Sequence, residues 1–237
     1  MNKRRLITPC RMMFACILTI SMALADNNIE RLGAEWQEWA LSIPTAVNPQ
    51  LGGDSGNPSM DYATAGKCFV GQRGGVWFLA GTFLGGTAVR TCQIPSDKLL
   101  FFPVVNSVQI NTPGICGQGG SISVSDLRSM AAGFINTSSN LSVDLDSKQV
   151  HNLERLQSPV FGVALPESNV FDAPCKSAHL GNVPGGIFSP AIDDGFYVLL
   201  GPLTPTQHIL HIHAENSSQG FTLDVTYHLN VVQSPND

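Results

Sequence analysis

The sequence predicts a mainly β domain: an antiparallel two-sheet sandwich, of the jelly-roll or immunoglobulin-like kind, with an N-terminal helix and one short internal helix. Three observations carry this expectation. Short apolar or alternating runs punctuated by glycine and proline recur from residue 68 onward, among them GVWFLAGTF (75–83), AVRTCQI (88–94) and FTLDVTYHLNVV (221–232). Helical periodicity is confined to two places, so strands do not alternate with helices as in a doubly wound sheet. The charged fraction is 13%, about half the usual ~25%, which implies a surface of Ser, Thr, Asn, Gln and Gly.

The first 25 residues read as a secretory signal. MNKRR is a basic start, MMFACILTISMALA an apolar stretch too short to span a bilayer, and Ala23-Leu24-Ala25 a small-x-small cleavage site. Residues 26–237 then form a single β-rich domain with no second apolar segment of membrane length, and the expected location is secreted, periplasmic or extracellular. Four of the 13 basic residues (Lys3, Arg4, Arg5, Arg11) lie in the signal, leaving nine against 18 acidic residues. An acidic chain without a Lys/Arg cluster is a poor nucleic-acid binder. Outside the signal, Cys68, Cys92, Cys116 and Cys175 are an even set with no Cys-x-x-Cys spacing, so they read as disulfide staples in an oxidising compartment. Of three possible pairings, Cys68–Cys92 with Cys116–Cys175 is favoured.

Along the domain, Ile29, Leu32, Trp36, Trp39/Ala40 and Ile43 recur at helical spacing over 27–43, and Pro44 stops the run. The tryptophans read as core rather than as a sugar platform. Residues 46–67 lack periodicity. CFVGQ (68–72) and the 75–83 and 88–94 runs read as strands, and so does KLLFFPVV (98–105), where Pro103 indicates an edge or bulged strand. SVSDLRSMAAGFI (123–135) reads as a helix capped by Ser123 or Ser125. LSVDLDS (141–147), VFGVALP (160–166), GFYVLL (195–200), HILHIHA (208–214) and the 221–232 run complete the strands, with an irregular stretch before residue 191.

EWALSIP, GGVWFLAGTFLGG, KLLFFPVVNS, DGFYVLLGPLTP and GFTLDVTYHLNVV together resemble a family of uncharacterised secreted single-domain proteins, mainly bacterial. The resemblance covers most of the chain after the signal. It implies one exported domain and carries no activity.

Catalytic signatures are largely excluded. Gly53-Asp54-Ser55-Gly56 looks like a serine-protease nucleophile loop, but Asn57 breaks the motif and the first histidine is His151, so the order of triad members is inverted. No Gly-x-Ser-x-Gly or His-Glu-x-x-His occurs. Asp144 and Asp146 share a strand face but read as solvated. The remaining constellation is histidine-rich: His208, His211, His213 and His228 lie in the last 30 residues. Burying Leu210, Ile212, Leu223 and Val225 together puts His211, His213, Asp224 and His228 on the opposite face of a hairpin. His-x-His with a nearby carboxylate suits Zn²⁺ or another divalent transition metal; His179 joins if the 164–195 loop folds over that face.

Two function classes follow. The first is a non-catalytic extracellular binding module for a polysaccharide or cell-surface partner, with no cofactor, using the loops 46–67, 106–121 and 164–195. The second is a secreted metalloprotein, a hydrolase or lyase, at His211, His213 and Asp224. Asn136, Asn140 and Asn216 head glycosylation sequons, of consequence only in a eukaryotic host.

Overall fold

The structure, a computed structural model, describes residues 29–45, 56–60 and 67–234. The expected signal segment lies outside these residues, as does most of the 46–67 stretch. Among the described residues, ten strands form two five-stranded sheets. Sheet I runs β1 (Val76–Phe78), β3 (Leu99–Ile110), β8 (Gly186–Leu200) and β6 (Glu154–Gln157), and β7 (Phe161–Leu165) follows β6 along the far edge of β8. Sheet II runs β2 (Gly86–Pro95), β10 (Phe221–Val232), β9 (Gln207–Asn216), β4 (Ser139–Leu145) and β5 (Lys148–Gln149). Helix α1 spans residues 29–42, α2 is Val124–Asn136 and α3 is Asp172–Ser177.

The result is sandwich-like, but the sheets are mixed rather than wholly antiparallel. β1 runs parallel to β3, and β2 parallel to β10. A parallel pair needs a long crossover, and hairpin-scale patterning gives no hint of a partner more than a hundred residues away. CFVGQ is a turn instead of a strand: Cys68 is tied to Cys92 on β2, with Cα atoms 5.9 Å apart, and the turn follows that anchor. β8 begins nine residues before the expected strand start, at Gly186. The 164–195 stretch therefore holds ordered structure, including α3, whose Cys175 is bridged to Cys116 at a Cα separation of 5.4 Å. β1 pairs with β3 only over Leu99–Phe101, so at Pro103 that side of β3 has no paired strand, and on the other side the register with β8 shifts between Pro103 and Val105, the bulge that the proline indicated.

Alternation along β3 explains the layering. Leu100, Phe102 and Val104 face sheet II, where Ala88, Leu210, Ile212, Val225 and Leu229 complete the main core. Phe101 faces the other way and stacks on Tyr197 of β8, ring centroids 5.0 Å apart. α1 covers that side of sheet I with Trp36, Trp39, Ala40 and Ile43. Both indoles are pinned: Trp36 Nε1 donates to Leu79 O and Trp39 Nε1 to Val70 O. The helix end is held by Asn57, whose Nδ2 donates to Ala40 O and Ile43 O, both at 2.8 Å. The residue that breaks the protease-like motif thus satisfies carbonyls that a helix terminus leaves open. α2 is capped by Ser123, whose hydroxyl accepts from Asp126 N, and lays Leu127 and Ala131 on Ile192 beside sheet II.

Gly195, at the centre of β8, has no room for a side chain. A Cβ there would lie 2.6 Å from Asn106 Cβ, 2.8 Å from Tyr197 Cε2 and 2.8 Å from Val105 O. One of these contacts is backbone, so relief requires moving a central strand. Gly195→Ala is expected to destabilise the domain by about 2 kcal/mol or more, read as a lower urea midpoint; an unchanged midpoint would show that β3 and β8 can part cheaply.

Candidate functional site

Sheet II presents His211, His213 and His228 on the face away from the core. The register sets His213 opposite Asp224 and His211 opposite Thr226, so Asp224 is directly across from His213 and diagonal to His211. On the other side Asp144 faces His211 and Ser142 faces His213. His211 Nε2 lies 3.2 Å from Asp224 Oδ1, and His213 Nδ1 lies 3.2 Å from Asp224 Oδ2. His213 Nε2 is 3.2 Å from Glu215 Oε1, and Asn140 Nδ2 donates to Glu215 Oε2 at 2.7 Å. This is a ladder of imidazoles and carboxylates in which each contact nitrogen faces an oxygen. Among the described residues, no group of three or more His, Cys, Asp or Glu side chains is placed to hold a metal ion.

The other predicted ligands do not join this ladder, His228 because it lies two residue pairs along the same face. His228 is exposed and lies across from Ile209 and Thr91. The 164–195 segment packs Val170, Cys175 and Val183 against β7 and α1, so His179 is not brought to the histidine face. Asp146 lies past the end of β4 in a left-handed turn, φ 52°, and Oδ2 accepts a hydrogen bond from His208 Nδ1 at 2.7 Å. His208 Nε2 meanwhile faces Thr204 O at 2.9 Å. Burial alone would lower the His208 pKa, but the Asp146 carboxylate and the Thr204 carbonyl outweigh it and the net shift is upward. The same imidazole, with the Ile209 N–H, holds the Asp146 carboxyl below its ordinary range. Asn216 accepts no sugar: it is fully buried, and its Nδ2 donates to Phe134 O and Thr137 Oγ1.

A buried polar network joins α1 to sheet I. Gln37 Nε2 donates to Asp193 Oδ1 at 2.6 Å, and Tyr197 O–H donates to Asp193 Oδ2 at 2.6 Å. Asn106 Nδ2 donates in turn to Tyr197 Oη at 3.1 Å. Burial pushes the Asp193 carboxyl up to about 7 even though these two donors favour the anion, and burial with the adjacent carboxylate pushes the Tyr197 phenol well above its ordinary value. On the opposite face of β8, Asp194 takes a two-pronged grip from Arg155, Nε to Oδ1 and Nη2 to Oδ2, each 2.9 Å.

Gln37 and Asn106 also line a cavity of about 340 Å³, which lies between α1, the bulge of β3 and the start of β10. Trp36, Phe83, Phe134, Phe171 and Phe221 give it an aromatic wall, and Ser59, Thr82, Ser107 and Gln219 add polar groups. Among the described residues, no charged side chain lines it. Exposed Leu84 and Gln219 mark its mouth, while Ala40, Val104, Val105 and Leu223 form a buried interior. The wall segment 80–82 is clamped from beneath by buried Arg90, whose Nη1 donates to Ala80 O at 2.6 Å and Nη2 to Gly81 O at 3.1 Å. Tyr227 Oη donates to the same Ala80 O at 2.7 Å. Thr82 is 6% exposed and its hydroxyl is buried without a hydrogen-bond partner.

Sequence reasoning overlooked this cavity because its lining comes from residues 36 to 223, with no local motif. Two signals were available. Arg90 falls at an inward-facing position between Ala88 and Cys92, and Asp193-Asp194 interrupts an otherwise apolar run. Charges in such places are retained only with partners built for them. No family model matches the chain, and no curated protein or solved structure is significantly similar to it.

The raised Asp193 and His208 values have one sign. Each group contributes stability that is present below its unfolded value and lost as pH rises through its folded value. Asp193 acts between about 4 and about 7, and His208 above its ordinary value of 6.5. The urea midpoint is expected to fall between pH 5 and pH 8; Asp193→Asn should flatten the lower part of that decline and His208→Ala the upper. Parallel curves for wild type and Asp193→Asn would show that Asp193 does not titrate in this range.

Proposed function

We propose that the protein is a non-catalytic extracellular binding module whose ligand occupies the cavity between α1 and the two sheets. The observation that carries this reading is the cavity itself: aromatic walls, a few polar groups and a volume within the ~300–1,000 Å³ of small-molecule sites. The surrounding scaffold supports it. α1 and the 80–82 segment are fixed by indole, amide and guanidinium hydrogen bonds, so the lining is preformed. The two disulfides are compatible with an oxidising compartment, and no helix among the described residues is long and apolar enough to cross a membrane. Of the three loops expected to bind, 46–67 contributes Ser59 and 164–195 contributes Val170 with Phe171, whereas Ser107 and Val108 belong to β3, which runs on to Ile110.

The test uses N-phenyl-1-naphthylamine, a neutral fluorophore that brightens in apolar surroundings. Saturable one-to-one binding is expected, weakened at least about tenfold by Val108→Phe, which adds bulk to the cavity wall at a half-buried position. Absence of saturable binding, or equal binding to a folded Val108→Phe variant, removes the reading.

A second reading is favoured by the convergence of His211 Nε2 and His213 Nδ1 on the two oxygens of Asp224. A divalent transition metal such as Zn²⁺ would take the place of the shared protons, at the cost of releasing them, and an open position on it would serve a hydrolase or lyase. Elemental analysis of untagged protein beside a His211→Ala/His213→Ala variant decides this: stoichiometric metal lost in the variant supports it, and metal-free protein whose melting temperature ignores added Zn²⁺ ends it.

A further inference from the structure

We infer that the cavity takes an extended peptide segment, apolar on both faces, which adds as a strand to the free edge of β3 at Asn106 and Val108. The inference rests on the cavity-binding reading above and adds the ligand class. It follows from where the main chain of β3 points.

The orientation of β3 is read from its neighbour β8. Asp193 O accepts from Ser158 N at 2.9 Å and Asp193 N donates to Ser158 Oγ at 2.8 Å, so both main-chain groups of Asp193 point away from β3. Val108 is the residue opposite Asp193. In an antiparallel pair, residues directly opposite exchange both bonds or neither, so Val108 N–H and C=O point away from β8 as well. Alternation gives Asn106 the same orientation, and turns Ser107 and Gln109 toward β8. Asn111 N donates to Pro190 O, in agreement with this phase. β1 pairs with β3 only over Leu99–Phe101, and among the described residues nothing bonds the outward N–H and C=O groups of Asn106 and Val108.

The chain that would prolong β1 along this edge is diverted. Leu79 N still donates to Phe101 O at 3.1 Å, but Ala80 O and Gly81 O are held by Arg90 and Tyr227 on the side of sheet II. The cavity lies along the edge so left open: β3 lines it continuously over 103–108, roughly 17 Å of strand. Trp36, Leu41 and Phe171 bound it on the α1 side, and Phe134, Phe221 and Leu223 on the side of sheet II. A bound strand sends alternate side chains to these two walls, so both sets are apolar, as in a strand covered on both faces. A ligand without amides would cover the Asn106 and Val108 groups and leave them unbonded, a cost that a peptide backbone avoids. The mode is strand addition to an open sheet edge.

The probe is acetyl-Ala-Val-Leu-Val-Ala-Lys-amide, beside a control N-methylated at its Val, Leu and Val residues, each set to displace N-phenyl-1-naphthylamine at pH 7. The parent peptide is expected to displace competitively and the control at least about tenfold more weakly, since it keeps the side chains but loses backbone donors. Val108→Pro deletes an outward N–H that the β8 ladder does not use. It should weaken the parent peptide about tenfold and move fluorophore affinity less than about threefold. Amide hydrogen exchange reads the backbone directly: saturating peptide should slow Asn106 and Val108 at least about tenfold and leave Ser107 and Gln109, already turned to β8, unchanged. No displacement by the parent peptide, equal displacement by the control, undiminished peptide binding by folded Val108→Pro, or unchanged exchange at Asn106 and Val108 would each overturn strand addition while leaving cavity binding intact. Failure of the fluorophore itself to bind would remove the binding reading and this inference together.

Discussion

A carboxyl group without a countercharge, Asp193, is the constraint around which the helix and the first sheet are arranged. It is buried between them and, among the described residues, its carboxyl is answered by neutral donors, an amide from α1 and a phenol from its own strand. Two neutral donors do not repay the desolvation of an anion, which is why the group titrates near neutrality. Several features follow from keeping those donors in place. Gly195 lets Asn106 reach Tyr197 across the strand pair. Trp36 and Trp39 then fix the helix on either side through their indole N–H groups.

The same contacts shape the cavity. Gln37 and Asn106 belong to the Asp193 network and to the wall at once, and Trp36 both anchors α1 and supplies an aromatic surface. On the opposite wall Arg90 and Tyr227 hold the 80–82 backbone from the core side of sheet II. The hollow thus exists because two polar clamps, one in each sheet, keep the helix and the 80–82 segment from collapsing onto the β3 bulge.

What the sequence made legible was local. Strict alternation in FTLDVTYHLNVV defined β10 to the residue, and the facing of His211, His213 and Asp224 follows from burying Leu210, Ile212, Leu223 and Val225. The α1 run over 27–43 and the helix after Ser123 were visible from apolar spacing and a cap. What was not legible depends on distant partners. Nothing in AVRTCQI states that it lies parallel to β10, whereas Pro103 in LLFFPVV did mark the bulge that the register with β8 shows. The early part of β8, GIFSPAID, lacks an apolar alternation and is a strand because β3 and β7 flank it. Asn57 read as a flaw in a catalytic motif, and its role as a helix clasp needed α1 to be in place.

Sheet II has a consequence for the order in which the molecule can be assembled. β10 lies between β2 and β9, yet it follows both in the chain. Until residues 221–232 are available, β2 has no neighbour of its own sheet, and one edge of β9 is unpaired. A partly synthesised chain therefore cannot close its core early and must be carried with β2 unpaired, a state open to wrong partners. The pairing that completes the sheet, Leu223 with Gly86 through Val232 with Pro95, spans most of the domain, so closure is a late and slow event. The Cys68–Cys92 bridge lies within the part that waits: formed first, it holds β2 against the 67–72 turn and presents a shaped edge for the last strand to meet.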